Sequence, residues 1–284
     1  MDSVALVKWD GDFSKVLEEG LDLLGGYGVL RSPFIIKPNI CTGNDKTGYA
    51  TTDVRLVDAL IDLVLRQESD LEILVVESDS ESKFADNAFK NLGYKKLEQR
   101  YKEKGFNVSL LNISQSSIIP ARLDGLHLKN PDLPEVTLGS KYLVSVAVAK
   151  THGLAFITGT LKNLFGLIPR KDQSFYHNRI SEVIVDINRL VRPDLCIVDA
   201  RVGLEGWEGP KKRQINAFLL GRNPASVDAT MARLMELNPE RIRHLVKAEK
   251  FNLGSLHPKI LGAALDSMVV QFKLPSNLSP RAKL

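Results

Sequence analysis

The chain has 284 residues, 44% hydrophobic and 25% charged, the composition of an ordinary globular protein long enough for one large core or two moderate ones. Its formal net charge of +4 is small, and its lysines and arginines are interspersed with acids, which argues against the concentrated basic face that nucleic-acid binding needs. The two cysteines, Cys41 and Cys196, form no CxxC and build neither an iron–sulfur cluster nor a cysteine zinc site.

The first residues, MDSVALVKWDGDF, lack the apolar stretch of a signal peptide, and no apolar run reaches the length of about 18 residues that a membrane helix needs. A cytoplasmic protein with no membrane partner is expected. In chain order, β-branched runs at 4–7, 34–37, 71–77, 108–111, 142–149 and 195–199, with a further apolar run at 218–220, read as strands. Helical periods lie between them. Thr52 stands as an N-cap before Val54, Val57, Ile61 and Val64, and Ser174 before Ile180, Val183, Ile184, Ile187 and Val191. Residues 226–235 and 240–250 predict two more helices, and 94–104 (YKKLEQRYKEK) a solvated helix face. Gly25, Gly26 and Gly28 precede a strand and suit a helix C-terminal turn.

The alternation predicts an α/β fold: a mainly parallel open sheet with helices on both faces, in one domain over 1–273. Residues 114–137 have neither period and read as an irregular excursion or small β insertion, and 274–284 as a disordered tail.

Ligands of open parallel sheets sit at the carboxyl ends of the strands. Four predicted strands end there in polar groups: at Lys37-Pro38-Asn39, at Glu77 with Ser78 and Asp79, at Lys150-Thr151-His152, and at Asp199. The segment from Lys150 to Arg179 adds Lys162-Asn163, His177 and glycines 153, 159 and 166, without a Walker A or GxGxxG pattern. Thr158-Gly159-Thr160 resembles a helix start whose free N–H groups attract anions. Each residue also has a plainer role. Lys150 can end a strand in water, His152 and His177 can be loop histidines, Asn163 can bond its own turn, and Asp228 can be a first-turn helix carboxylate. After the last of those strands, Glu205 and Glu208 lie in a glycine-rich loop. With Asp199 they can join a histidine around magnesium or manganese, or pair with lysines without a metal.

Lys37-Pro38-Asn39, Lys150-Thr151-His152, Leu161-Lys162-Asn163 with Gly166, Tyr176-His177, Asp199 with Gly206 and Gly209-Pro210, and Asn223-Pro224 with Val227-Asp228-Ala229 together resemble the domain of unknown function 362 family, from roughly 33 to 265. That family carries no general assigned activity, and its members are often joined to ferredoxin-like iron–sulfur modules. With two isolated cysteines this chain cannot carry one, so an electron-transfer role would need a separate redox partner.

Two functions compete. One is an enzyme for a small anion, carboxylate or phosphate: Lys37, Lys150 and Lys162 clamp the anion, Asn39, Thr151 and Asn163 bind substrate, and His152 or His177 is the general acid or base. In it Asp199 and Glu205 orient a histidine or hold a metal. The other is a non-catalytic accessory protein holding a metal or cofactor for an iron–sulfur partner.

Overall fold

The computed structural model describes residues 2–274 apart from Glu81, Glu208 and Pro210, so the tail expected at 274–284 lies, from Pro275 on, outside the described residues. The elements in chain order are β1 (Ser3–Lys8), α1 (Phe13–Leu23), β2 (Phe34–Pro38), α2 (Val54–Gln67), β3 (Ile73–Glu77), α3 (Ala85–Asn91), α4 (Tyr94–Glu103) and β4 (Val108–Asn112). Then come β5 (Ile118–Pro120), β6 (Asp132–Pro134), α5 (Glu135–Leu138), β7 (Tyr142–His152), β8 (Phe156–Thr158) and α6 (Thr160–Asn163). The last are α7 (Ile180–Leu190), β9 (Leu195–Glu205), β10 (Lys211–Gly221), α8 (Pro224–Leu234), α9 (Arg243–Lys250) and β11 (Lys259–Gly262).

The main sheet has the order β11-β1-β10-β9-β7-β2-β3-β4, with β8 hairpinned back onto β7. Strands β9, β7, β2, β3 and β4 are parallel neighbours, and β10 is antiparallel to both β9 and β1. Alternation along the strands feeds two cores. Val4, Leu6 and Ile35 face one, with α6 to α9; Ala5, Val7, Phe34 and Ile36 face the other, with α1 to α4. Burying each of these valine, leucine, isoleucine and phenylalanine side chains contributes about 1.5–3 kcal/mol. The fold is therefore the α/β sheet with helices on both faces that the periodicity predicts.

The chain leaves β2 toward β3 and β4, then returns to place β7 on the other side of β2. Successive connections diverge between β2 and β7, and their carboxyl ends leave a crevice there.

Several local expectations change. Asp53, not Thr52, caps α2; the Thr52 hydroxyl instead donates to Val146 O (2.8 Å) and accepts from the Asn39 N–H (2.8 Å), joining β2 to β7. Helix α4 is amphipathic rather than wholly solvated, because Tyr94, Leu97 and Tyr101 are buried at three- and four-residue steps. Ser174 lies in a 3-10 turn, Gln173–Arg179, and α7 begins only at Ile180. The glycine pair after α1 does close that helix: Gly26 N–H donates to Leu21 O (2.8 Å) with both glycines at positive φ.

The irregular stretch at 114–137 is a small appendage in which β5 pairs antiparallel with β6. Its anchor is Asp186 of α7, a fully buried carboxylate accepting from the N–H groups of Leu126 (2.8 Å), His127 (2.8 Å) and Leu128 (2.9 Å). Asp186→Ala strands those donors, and urea denaturation should show a stability loss of about 2–4 kcal/mol.

Candidate functional site

The crevice at the ends of β2, β3 and β7 opens into a cavity of about 470 Å³. Its charged and polar wall comprises Lys37, Asn39, Glu77, Lys83, Lys162 and Asn163, with His152 and His177 beside them. Ile40, Cys41, Leu154, Phe165 and Trp207 also line it.

A directed hydrogen-bond chain builds the wall. The Lys150 ammonium, which can only donate, bonds Asn39 Oδ1 (2.9 Å) and so turns the Asn39 amide N–H₂ outward. Asn39 Nδ2 donates to Asn163 Oδ1 (3.2 Å), and Asn163 Nδ2 to Lys37 O (2.8 Å) and Ser145 Oγ (3.1 Å). Ser145 Oγ then donates to Thr160 O (3.1 Å). One cation thus fixes the orientation of both amides and ties β2, β7 and α6 together.

Lys150 itself is 1% exposed and also bonds Ala50 O (2.7 Å) and Cys41 Sγ (3.4 Å). It stands behind the cavity wall, so its place is that of a positioning residue. Ala50 is held for it by Asp45, whose carboxylate accepts from the N–H groups of Thr47 (2.9 Å), Gly48 (2.9 Å), Ala50 (2.8 Å) and Thr51 (2.9 Å). Thr151 is buried too, and its hydroxyl accepts from Gly206 N–H (2.8 Å), fixing the loop after β9.

On the opposite wall Glu77 takes Lys37 (2.8 Å), Lys83 (3.5 Å) and the Ser78 N–H (2.8 Å). Burial pushes the Lys37 ammonium below its ordinary pKa despite this partner. Lys162 differs from the other lysines. Its ammonium lies 5.8 Å from the Phe165 ring centre and has no hydrogen-bond acceptor or carboxylate among the described residues. Burial and the charge of Lys150 lower its pKa to about 8.

His152 Nδ1 accepts from the N–H groups of Leu154 (3.1 Å) and Ala155 (3.3 Å), which places the ring proton on Nε2. Burial, then Lys162 and Lys150, hold its pKa well below the usual histidine range, so the ring is a neutral donor. His177 sits on the exposed rim.

The helix start at Thr158-Gly159-Thr160 does attract an anion, and it is the protein's own. Buried Asp228 accepts from Thr160 N–H (2.6 Å), Thr160 Oγ1 (2.8 Å) and Leu161 N–H (2.9 Å). Position 159 must be glycine, because a Cβ there would lie 2.4 Å from Asp228 Oδ1. Burial raises the Asp228 pKa to about 6 against those donors.

Of the three carboxylates considered for a metal, Asp199 and Glu205 do not line the cavity. Strand β9 runs past Asp199 to Glu205, so Asp199 is no strand end. Its carboxylate pairs with Arg201 (2.7 Å), packed on Phe13 and Trp9, while Glu205 pairs with Arg213 (2.9 Å). Among the described residues no group of three or more His, Cys, Asp or Glu is arranged to hold a metal ion. Glu208 lies outside the described residues.

The structure therefore brings together Lys37, Asn39, Lys162, Asn163, His152 and His177, sets Lys150 and Thr151 behind them, and takes Asp199 and Glu205 away. Sequence reasoning missed Lys83, Cys41, Phe165 and Trp207. Phe165 and Trp207 had a signal, being apolar beside a polar strand or helix end; Lys83, in the turn bridged by Ser80, had none.

Fold and site together define an open α/β protein with a lysine-lined cleft at its topological switch point. The chain belongs to the family called domain of unknown function 362, whose sequence model matches residues 35–233. A thylakoid-associated protein of Synechocystis sp. is 24% identical over 276 residues, covering 92% of this chain and 82% of that one. The lactate racemase apoprotein from Thermoanaerobacterium thermosaccharolyticum superposes over 84% of this chain with a TM-score of 0.45 and 9% identity. This chain covers 58% of the racemase chain, and a likeness of that size carries no chemistry from one protein to the other. No helix among the described residues is long and apolar enough to cross a membrane.

The directed chain gives a sharp expectation. Asn163→Asp removes almost no volume but puts an acceptor against Lys37 O and Ser145 Oγ. It should cost about 3 kcal/mol in urea denaturation, whereas Ser145→Ala should cost about 1.

Proposed function

We propose that this protein is an enzyme acting on a small anionic molecule, a carboxylate or a phosphate, bound in the cleft between the ends of β2 and β7. The observation that carries this reading is the Lys162 ammonium, which faces a cavity of small-molecule size without an acceptor of its own among the described residues. The other charges point the same way. Lys37 and Lys83 line the cleft with Lys150 behind its wall, and Glu77, bonded to the first two, is its one acid among the described residues. A partly desolvated group of cations with so little counter-charge favours an anion.

For chemistry, a lysine with a pKa of about 8 both holds and releases a proton near neutrality. Neutral His152 offers its Nε2–H to an oxygen that gains charge, the role of a donor rather than a base. His177 on the rim is placed to meet the substrate as it enters.

Calorimetric titration with inorganic phosphate and acetate tests the reading. Lys162 is charged below about pH 8 and neutral above it, so affinity should be highest below that pH and weaken by up to about tenfold per unit above it. Lys162→Met should weaken binding at pH 7 by about 10- to 100-fold and flatten the pH profile. Wild-type affinity indifferent to both pH and Lys162→Met removes the anion cleft. Binding of anions without turnover of any carboxylate or phosphate ester assigns the protein as a non-catalytic binding partner instead.

A further inference from the structure

We infer that Lys162 is a nucleophile that condenses with the carbonyl group of a small oxo acid, forming an imine in the cleft. The inference rests on the anion-binding reading above and names the substrate class within it.

The lysines at the cleft are not equivalent. Lys37 gives its N–H groups to Pro38 O (2.7 Å) and Glu77 (2.8 Å), and Lys83 to Ser78 O and Glu77. Lys150 gives its own to Asn39, Cys41 and Ala50. Acceptors of this kind hold the proton on nitrogen, and a protonated nitrogen has no lone pair with which to attack carbon. Lys162 has no such acceptor among the described residues, only the Phe165 ring.

The groups around it favour the free amine. Burial and the neighbouring Lys150 cation both disfavour a charge on Lys162, and His152 is neutral; Cys41, on the same wall, acts the other way but ranks below both. His244, on α9, is buried and feels the Lys162 charge, and burial and that charge together hold it near 3, so it too is neutral. No carboxylate among these neighbours stabilises the ammonium, in keeping with a pKa of about 8.

The step balances without an outside oxidant or reductant. The nitrogen lone pair attacks the carbonyl carbon, a C–N bond forms, and the C=O π pair moves to oxygen, which takes a proton. The carbinolamine then loses that oxygen as water, and the two hydrogens of the neutral amine leave with it. The net change is carbonyl plus amine to imine plus water. His152 Nε2–H can hydrogen-bond the carbonyl oxygen as it gains charge. An acid rather than an uncharged carbonyl compound fits, because the carboxylate remains in the field of Lys37, Lys83 and Lys150 once Lys162 is committed to carbon.

The full chain is incubated with pyruvate or 2-oxoglutarate and sodium cyanoborohydride, which reduces an imine to a stable secondary amine, and the product is mapped by peptide mass spectrometry. The adduct is expected on Lys162, at least tenfold above that on half-exposed Lys95 and Lys102 and increasing from pH 6.5 toward 8. Inorganic phosphate should protect it, and Lys162→Arg, with an unchanged melting curve, should lack it. A Lys162 yield no higher than at Lys95 or Lys102 overturns the imine. If phosphate and acetate still bind to the wild type with the expected pH dependence, the anion cleft stands without it. If they do not, both readings fall.

Discussion

The bond between the side-chain amides of Asn39 and Asn163 holds this site together. It joins the end of β2 to the short helix after β8, and it has a direction because Lys150 can only donate. Every partner further along follows from that end. Asn163 must donate to Lys37 O and Ser145 Oγ, and Ser145 to Thr160 O. Bonds in such a series polarise one another, and in a buried setting an orphaned member costs more than the pair contributes. The wall of the cleft is therefore set before any ligand arrives.

This division of labour explains why so many lysines occupy so little space. Lys37 and Lys83 balance Glu77 across the mouths of β2 and β3, and Lys150 is consumed in fixing the amides. Their charges shape the potential, but their protons are committed. Lys162 is left without an acceptor among the described residues, and it lies two residues after Thr160, whose N–H is bound to Asp228.

Much of the fold was legible because the apolar residues of α2 and α7 recur at helical steps and those of β1 and β2 form short unbroken runs. What was hidden had a physical cause. Strands β7 and β9 run on to His152 and Glu205 because polar residues there find partners in the fold: Thr151 in Gly206, Asp199 in Arg201. A polar residue with a buried partner looks, in sequence, like a strand end. Tyr94 and Tyr101 hid an apolar face because tyrosine counts as polar or apolar according to where its hydroxyl points. At the site, the strand-end rule found Lys37, Asn39, Glu77 and His152. It could not separate Lys150 from Lys162, since that depends on acceptors 100 or more residues away in the chain. The start of α6 suggested a site for a bound anion, but its N–H groups are taken by Asp228, 68 residues downstream, which sequence position alone marked only as a first-turn carboxylate.

Those long separations bear on how the molecule matures. The Asn39–Lys150 contact spans 111 residues and the Asn39–Asn163 contact 124. During synthesis, β2 and the loop gathered by Asp45 leave the ribosome long before the lysine they will enclose. Contacts so distant in sequence cannot form until the intervening chain exists, so no shorter amino-terminal product can hold the wall in place. The cleft is thus complete only once the centre of the sheet has been filled.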